Sequence, residues 1–145
     1  MIILQADKYK IMKVLFRYIK SMAPYLLAAW IIIILIFSSI PRVPEIKINT
    51  GRLEIKIDYI LHFGEYFALA GLALLAFAGS DYSLLARKIL VTTLSLLVFA
   101  VLDESHQLLI PGRSFNISDM LSNFAGILSG IIITLHLNRS LSRET

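Results

Sequence analysis

The sequence predicts an all-α membrane protein: a bundle of four transmembrane helices with both termini cytoplasmic and a short extracytoplasmic β-hairpin between helices 1 and 2. Three observations predict it. Of the 145 residues, 57% are hydrophobic and only 17% charged, against about 45–50% and about 25% in soluble domains. Mean hydropathy is +0.76, and a chain this short cannot hide such an apolar excess in a water-soluble core. Four spans of about 20 residues would use roughly 80 residues, close to the apolar total. A soluble enzyme, a disordered chain, a coiled coil and a disulfide-rich domain are all disfavoured. The absence of cysteine removes disulfides, thiolate nucleophiles and zinc–thiolate sites. The net charge of +4 comes from scattered basic residues, which mark cytoplasmic helix ends better than a nucleic-acid surface.

Residues 1–20 carry Lys8, Lys10, Lys13, Arg17 and Lys20 among apolar residues. They read as a cytoplasmic basic amphipathic segment on an anionic membrane surface, or simply as the positive-inside flank of the first span. Residues 21–138 form a single four-helix domain, and 139–145 a cytoplasmic tail. Ser21 to Ile40 is a charge-free run of 20 residues, enough for the first span. A cleaved signal peptide is the alternative, but its positive region would be unusually long.

Pro41 and Pro44 end that span. From Glu45 to Ile57, apolar and charged residues then alternate on both sides of Asn49-Thr50-Gly51, a hairpin signal. Such a hairpin is either a structured loop or a lid over a site. The remaining spans fall at about 58–80, 85–110 and 117–137, joined by a turn around Ser80-Asp81-Tyr82-Ser83 and by Pro111-Gly112. With the N-terminus inside, nine basic residues lie on the inner side and five on the outer, which favours cytoplasmic termini.

Spans 2 and 3 reach full length only by including charged residues. Tyr66 to Ser80 is 15 uncharged residues and Ile89 to Leu102 only 14, too short for about 30 Å of hydrocarbon. Helix 2 must therefore take in Asp58, His62 and Glu65, and helix 3 must take in Asp103, Glu104, His106 and Gln107. Helix 2 is polar at its start, helix 3 at its end and helix 4 at its start. Alternating directions bring all three to one membrane face, the extracytoplasmic one under this orientation.

Asp58, His62 and Glu65 fall within about 60° on a helical wheel. Asp103, Glu104 and Gln107 share a broad face, with His106 roughly opposite Glu104. Asp119, Asn123, Gly126 and Gly130 form a stripe whose glycines make a close-packing motif. Polar side chains can serve as interhelical glue, but so many converging at one end exceed what packing needs and point to a functional pocket.

Two segments resemble the VanZ-like family of small bacterial membrane proteins. One is Asp58-Tyr59-Ile60-Leu61-His62-Phe63-Gly64-Glu65-Tyr66-Phe67. The other runs Asp103-Glu104-Ser105-His106-Gln107, then Pro111-Gly112-Arg113, Asp119, Asn123 and Gly126. Together they cover about residues 55 to 135. Before Tyr59 stands Asp58, where many members carry Asp-Lys. The resemblance implies a multi-pass protein of the bacterial cytoplasmic membrane with a cell-envelope role, linked to glycopeptide resistance of the teicoplanin type. It implies no established reaction.

On the first functional reading, the pocket binds or processes an anionic lipid-linked or envelope substrate. His62 would shuttle protons, Glu65 or Asp103 would orient it, and Glu104 would be general base or acid. Gln107, Arg113, Asp119 and Asn123 would hold the substrate, Arg113 through its guanidinium. Arg113 paired to Asp103 or Asp119 is the structural alternative. The sequence implies no specific cofactor. A divalent metal on His62, Glu65, Glu104 and Asp119 is an option, although no tight metal motif is present. A second reading is a non-catalytic factor that modulates access of a glycopeptide or assists an envelope protein. A transporter fits less well, because the inner halves of helices 2–4 are apolar and no inverted repeat is visible.

Overall fold

The computed structural model describes residues 2–41, 47–49, 54–77 and 85–142. Among the described residues there are four helices: α1 (Ile2–Ser38), α2 (Ile57–Phe77), α3 (Leu85–Gln107) and α4 (Ile117–Ser142). Each holds a stretch long and apolar enough to cross a bilayer, of 28, 21, 23 and 24 residues. Large apolar side chains such as Ile36, Leu90, Leu94, Val98, Leu121 and Ile132 point outward, the arrangement expected where lipid is the solvent.

The helix limits differ from the sequence expectation in ways local chemistry explains. α1 is one continuous helix through the basic segment, so Lys13, Arg17 and Lys20 share it with the apolar run. Pro24 sits inside it and removes the backbone bond to the Lys20 carbonyl. α3 stops at Gln107 rather than near Ile110. The amides of Leu108, Leu109 and Ile110 bond three residues back, to Ser105, His106 and Gln107, because the residue before Pro111 is pushed out of the α region. α4 continues to Ser142, with Arg139 in the last turn opposing the negative end of the helix dipole.

Two short strands, β1 (Lys47–Asn49) and β2 (Glu54–Lys56), pair antiparallel with Ile48 opposite Ile55, and β2 runs directly into α2. The centre of the predicted turn, Thr50-Gly51, lies outside the described residues, as does Ser80-Asp81-Tyr82-Ser83.

The core is built around α2, whose Tyr66, Leu69, Ala70, Ala73 and Leu74 are buried against Leu27 and Ile34 of α1, Leu96 and Ala100 of α3, and Ile127 and Ile131 of α4. The α2–α4 seam is the closest. A Cβ on Gly126 would strike the Phe63 carbonyl and the Phe67 amide, and one on Gly130 would strike the Phe67 carbonyl and Ala70. One turn further on, a Cβ on Gly71 would lie 3.1 Å from Thr134 Oγ1. Contacts advance together along both helices, so α2 and α4 run parallel, as alternate spans of a four-span bundle must.

Candidate functional site

The polar ends of α2, α3 and α4 meet at one end of the bundle. Buried there are His62 from α2; Asp103, Glu104 and Gln107 from α3; and Asp119 and Asn123 from α4. Glu104 and Asn123 are fully buried.

The link between α3 and α4 sets this geometry. The Arg113 amide bonds the Ile110 carbonyl, closing a turn with proline second and glycine third. Gly112 has φ 77°, the left-handed value that a type II turn requires at that position. Asn116 then caps α4, its Oδ1 accepting the Ser118 amide at 3.0 Å. The Asn116 amide in turn donates to Glu104 Oε1 at 2.7 Å. Glu104 thus fixes where α4 begins, and Asp119 sits in that helix's first turn, where the helix dipole favours negative charge.

Two halves can be distinguished. In the first, His62 Nε2 lies 3.9 Å from Asp119 Oδ2, and one ligand atom from each of His62, Glu104 and Asp119 lies within 4.8 Å of the others. Glu104 keeps one oxygen, Oε2, without a partner in the protein. In the second half, the Tyr66 hydroxyl donates to Asp103 Oδ2 at 2.9 Å.

Glu65 belongs with this second half, not with the metal-capable trio. It is half-buried within electrostatic range of Asp103 and Arg113, and its backbone carbonyl accepts the Trp30 indole N–H at 2.9 Å. The four-residue metal set expected from the helical wheel therefore shrinks to three. His62 and Glu65 are a helical turn apart, and that offset is enough to turn one toward Asp119 of α4 and bring the other within range of Asp103 of α3 and of Arg113. His106 also stays outside the trio.

Arg113 departs from the ion-pair alternative read from sequence. It forms no ion pair with Asp103 or Asp119. Its Nε donates to the Ile40 carbonyl and its Nη2 to the Phe37 carbonyl, both at 3.0 Å, and Nη1 reaches Gln107 Oε1 at 3.3 Å. The guanidinium caps the end of α1, which has no basic residue of its own in the last turn. Helix ends leave their last carbonyls without intrahelical donors, and a cation at that end is favourable.

Tyr66, Trp30 and Asn116 were not singled out from sequence. Tyr66 did carry a signal, since it lies four residues after His62 on the same helix face, and Asn116 stands in a recognisable cap position before α4. Trp30, alone in an apolar run, carried none. Tyr66→Phe leaves Asp103 with neither oxygen bonded by the protein. The expected loss is about 1–3 kcal/mol, read as a lower thermal midpoint in detergent and absent when Asp103→Asn is already in place.

A larger cavity of about 640 Å³ lies elsewhere, among α1, α2 and α3, with Leu27, Leu69 and Leu96 in its walls and Arg87 and Lys88 along it. None of the buried polar cluster lines it.

The VanZ/LLP1 family profile matches residues 11–138, which take in three of the apolar spans whole, the fourth to within two residues of its end, and every residue of the cluster. No curated protein and no solved structure matches the chain significantly. With four apolar helices and a family match across most of its length, the chain is a multi-pass membrane protein of the VanZ/LLP1 family.

Proposed function

We propose that the buried polar cluster binds the anionic headgroup of a lipid-linked substrate of the cell envelope. One observation carries this reading. His62 Nδ1, Asp103 Oδ1, Glu104 Oε2, Gln107 Nε2, Asp119 Oδ1 and both amide atoms of Asn123 are buried with no hydrogen-bond partner in the protein. Each such group costs about 1–3 kcal/mol unless something satisfies it, so a cluster this large is poorly explained as interhelical glue. His62 Nδ1, Gln107 Nε2 and the Asn123 amide nitrogen can donate to a headgroup oxygen, whereas the carboxylate oxygens need a proton or a cation.

A groove of about 380 Å³ gives further support. It follows the outside of the α2–α4 seam, lined by Tyr59, Ile60, Phe63, Leu121, Ser122 and Ala125. Phe63 and Ser122 are the chain neighbours of His62 and Asn123, so an acyl or polyprenyl tail resting there would place its headgroup beside the cluster. A role in teicoplanin-type resistance would follow from sequestering or altering such an envelope lipid.

The test is retention of a polyprenyl pyrophosphate by purified protein in nanodiscs, read by native mass spectrometry. Wild type is expected to retain it saturably, and His62→Ala and Asn123→Ala to lose at least about tenfold, the cost of leaving buried polar groups unpaired. Leu94→Ala, on the lipid-facing side of α3, is expected to match wild type. Equal retention by folded His62→Ala and Asn123→Ala variants would overturn the proposal.

A further inference from the structure

We propose that His62, Glu104 and Asp119 form a divalent-cation site, of the zinc or manganese kind, whose cation lets this acidic pocket hold an anionic headgroup. The cation site stands on the three ligands themselves; its bridging role rests on the lipid reading above.

The first argument is electrostatic. Asp103, Glu104 and Asp119 are all buried at one end of the bundle, with Glu65 half-buried beside them. The guanidinium nearest them donates to the carbonyls of Phe37 and Ile40 and reaches the cluster only at Gln107 Oε1. A buried charge is tolerated when it is paired or coordinates a metal, and a pocket of carboxylates alone repels a phosphate. A dication reverses that, since it is the largest local charge in a site and attracts the anion the carboxylates would exclude.

Geometry supplies the second argument. The three ligand atoms come from three different helices and lie within 4.8 Å of one another. Around one zinc ion, bonds of about 2.0–2.2 Å set neighbouring ligand atoms about 3.0–3.5 Å apart. Small side-chain rotations close the difference. All three residues are more than nine-tenths buried, so the site is held by packing. Glu104 is already oriented by the Asn116 amide on Oε1, which leaves Oε2 free to ligate, and such outer bonds are how metal sites fix their ligands.

The donor set points to the class of ion. One imidazole with two carboxylates suits borderline transition dications better than calcium or magnesium, which favour all-oxygen shells. Three protein ligands leave a coordination position for an incoming oxygen, as in catalytic zinc sites. Asn123 lies one turn beyond Asp119 with both amide atoms unpartnered. It is placed to bond an oxygen bound there.

The experiment uses full-length protein, stripped with EDTA and placed in zwitterionic nanodiscs. Zn²⁺ is titrated by equilibrium dialysis with elemental analysis, and Mn²⁺ by electron paramagnetic resonance. One ion per chain is expected. Glu104→Gln and Asp119→Asn, which keep side-chain size, are each expected to weaken binding by at least about tenfold, as is His62→Ala. His136→Ala, an exposed histidine outside the cluster on α4, is expected to bind as wild type does. No saturable binding by wild type overturns the site, and so does unchanged affinity in folded Glu104→Gln and Asp119→Asn. Polyprenyl pyrophosphate retention measured with EDTA and with Zn²⁺ separates the two proposals. Retention that is equal in both sinks the bridging role and leaves the lipid reading standing. Ion binding without any retention sinks the lipid reading and leaves the cation site.

Discussion

Gly126→Ala is expected to lower the thermal midpoint of the purified protein by up to roughly 10 °C, while Gly64→Ala changes it little. Both add one methyl to a helix, so propensity cannot separate them; outside a packed seam the same change favours the helix by about 0.5–1 kcal/mol. What differs is the neighbour. A Cβ on Gly64 meets nothing within 4 Å, whereas one on Gly126 runs into the backbone of Phe63 and Phe67. Backbone cannot rotate aside, so α2 and α4 must part, and overpacking of this kind costs about 1–3 kcal/mol. For a chain of this size, that is a shift of roughly 10 °C at the upper end. Gly130→Ala is expected to behave like Gly126→Ala, for its Cβ meets the Phe67 carbonyl. Gly71→Ala should fall between, because its neighbour is the movable Thr134 hydroxyl. Parting the seam also separates His62 from Asp119, so Gly126→Ala is expected to lose ligand binding along with stability. If Gly126→Ala melts with Gly64→Ala, the parallel α2–α4 packing is wrong.

That seam shows which parts of the molecule were legible in the sequence. Gly126-x-x-x-Gly130 is a local pattern with one dominant physical use, and it packs as such. The gathering of Asp103, Glu104, Gln107, Asp119, Asn123 and His62 followed from span length and alternating direction, neither of which needs side-chain detail. Finer assignments depended on rotation and reach. His62 and Glu65 differ by about 60° on a wheel, too little to tell from sequence which one faces α4. The partners of Arg113 lie 73 and 76 residues away, at and just past the end of α1, and an unsatisfied helix end leaves no mark in sequence showing which side chain will come to it. Tyr66 looked like one more aromatic in a motif until its hydroxyl met Asp103. Helix limits erred for a related reason. Hydropathy reports where lipid begins, whereas α1 and α4 extend past that boundary as polar helix.

Arg113→Ala is expected to destabilise the bundle by about 2–3 kcal/mol, and Arg113→Lys to recover less than half of that. The side chain holds three acceptors at once, the Phe37 carbonyl in the last turn of α1, the Ile40 carbonyl just beyond it and the Gln107 amide oxygen. Hydrogen bonds to charged groups are worth about 1.5–3 kcal/mol each when buried, but the two carbonyl contacts are exposed. Solvent screening discounts them, which keeps the total well below the sum. Lysine carries the charge without the planar fork, so it can reach one carbonyl while leaving the other and Gln107 unserved. The measurement that separates a clamp from a substrate contact is polyprenyl pyrophosphate retention followed as a function of temperature. A clamp acts through α1, so both variants should retain substrate as wild type does well below their lowered midpoints and lose it as they unfold. A direct headgroup contact would instead leave retention weak at every temperature, in the fully folded protein as well. The bonds to Phe37 and Ile40 predict the first pattern, and observing the second would return Arg113 to the binding site.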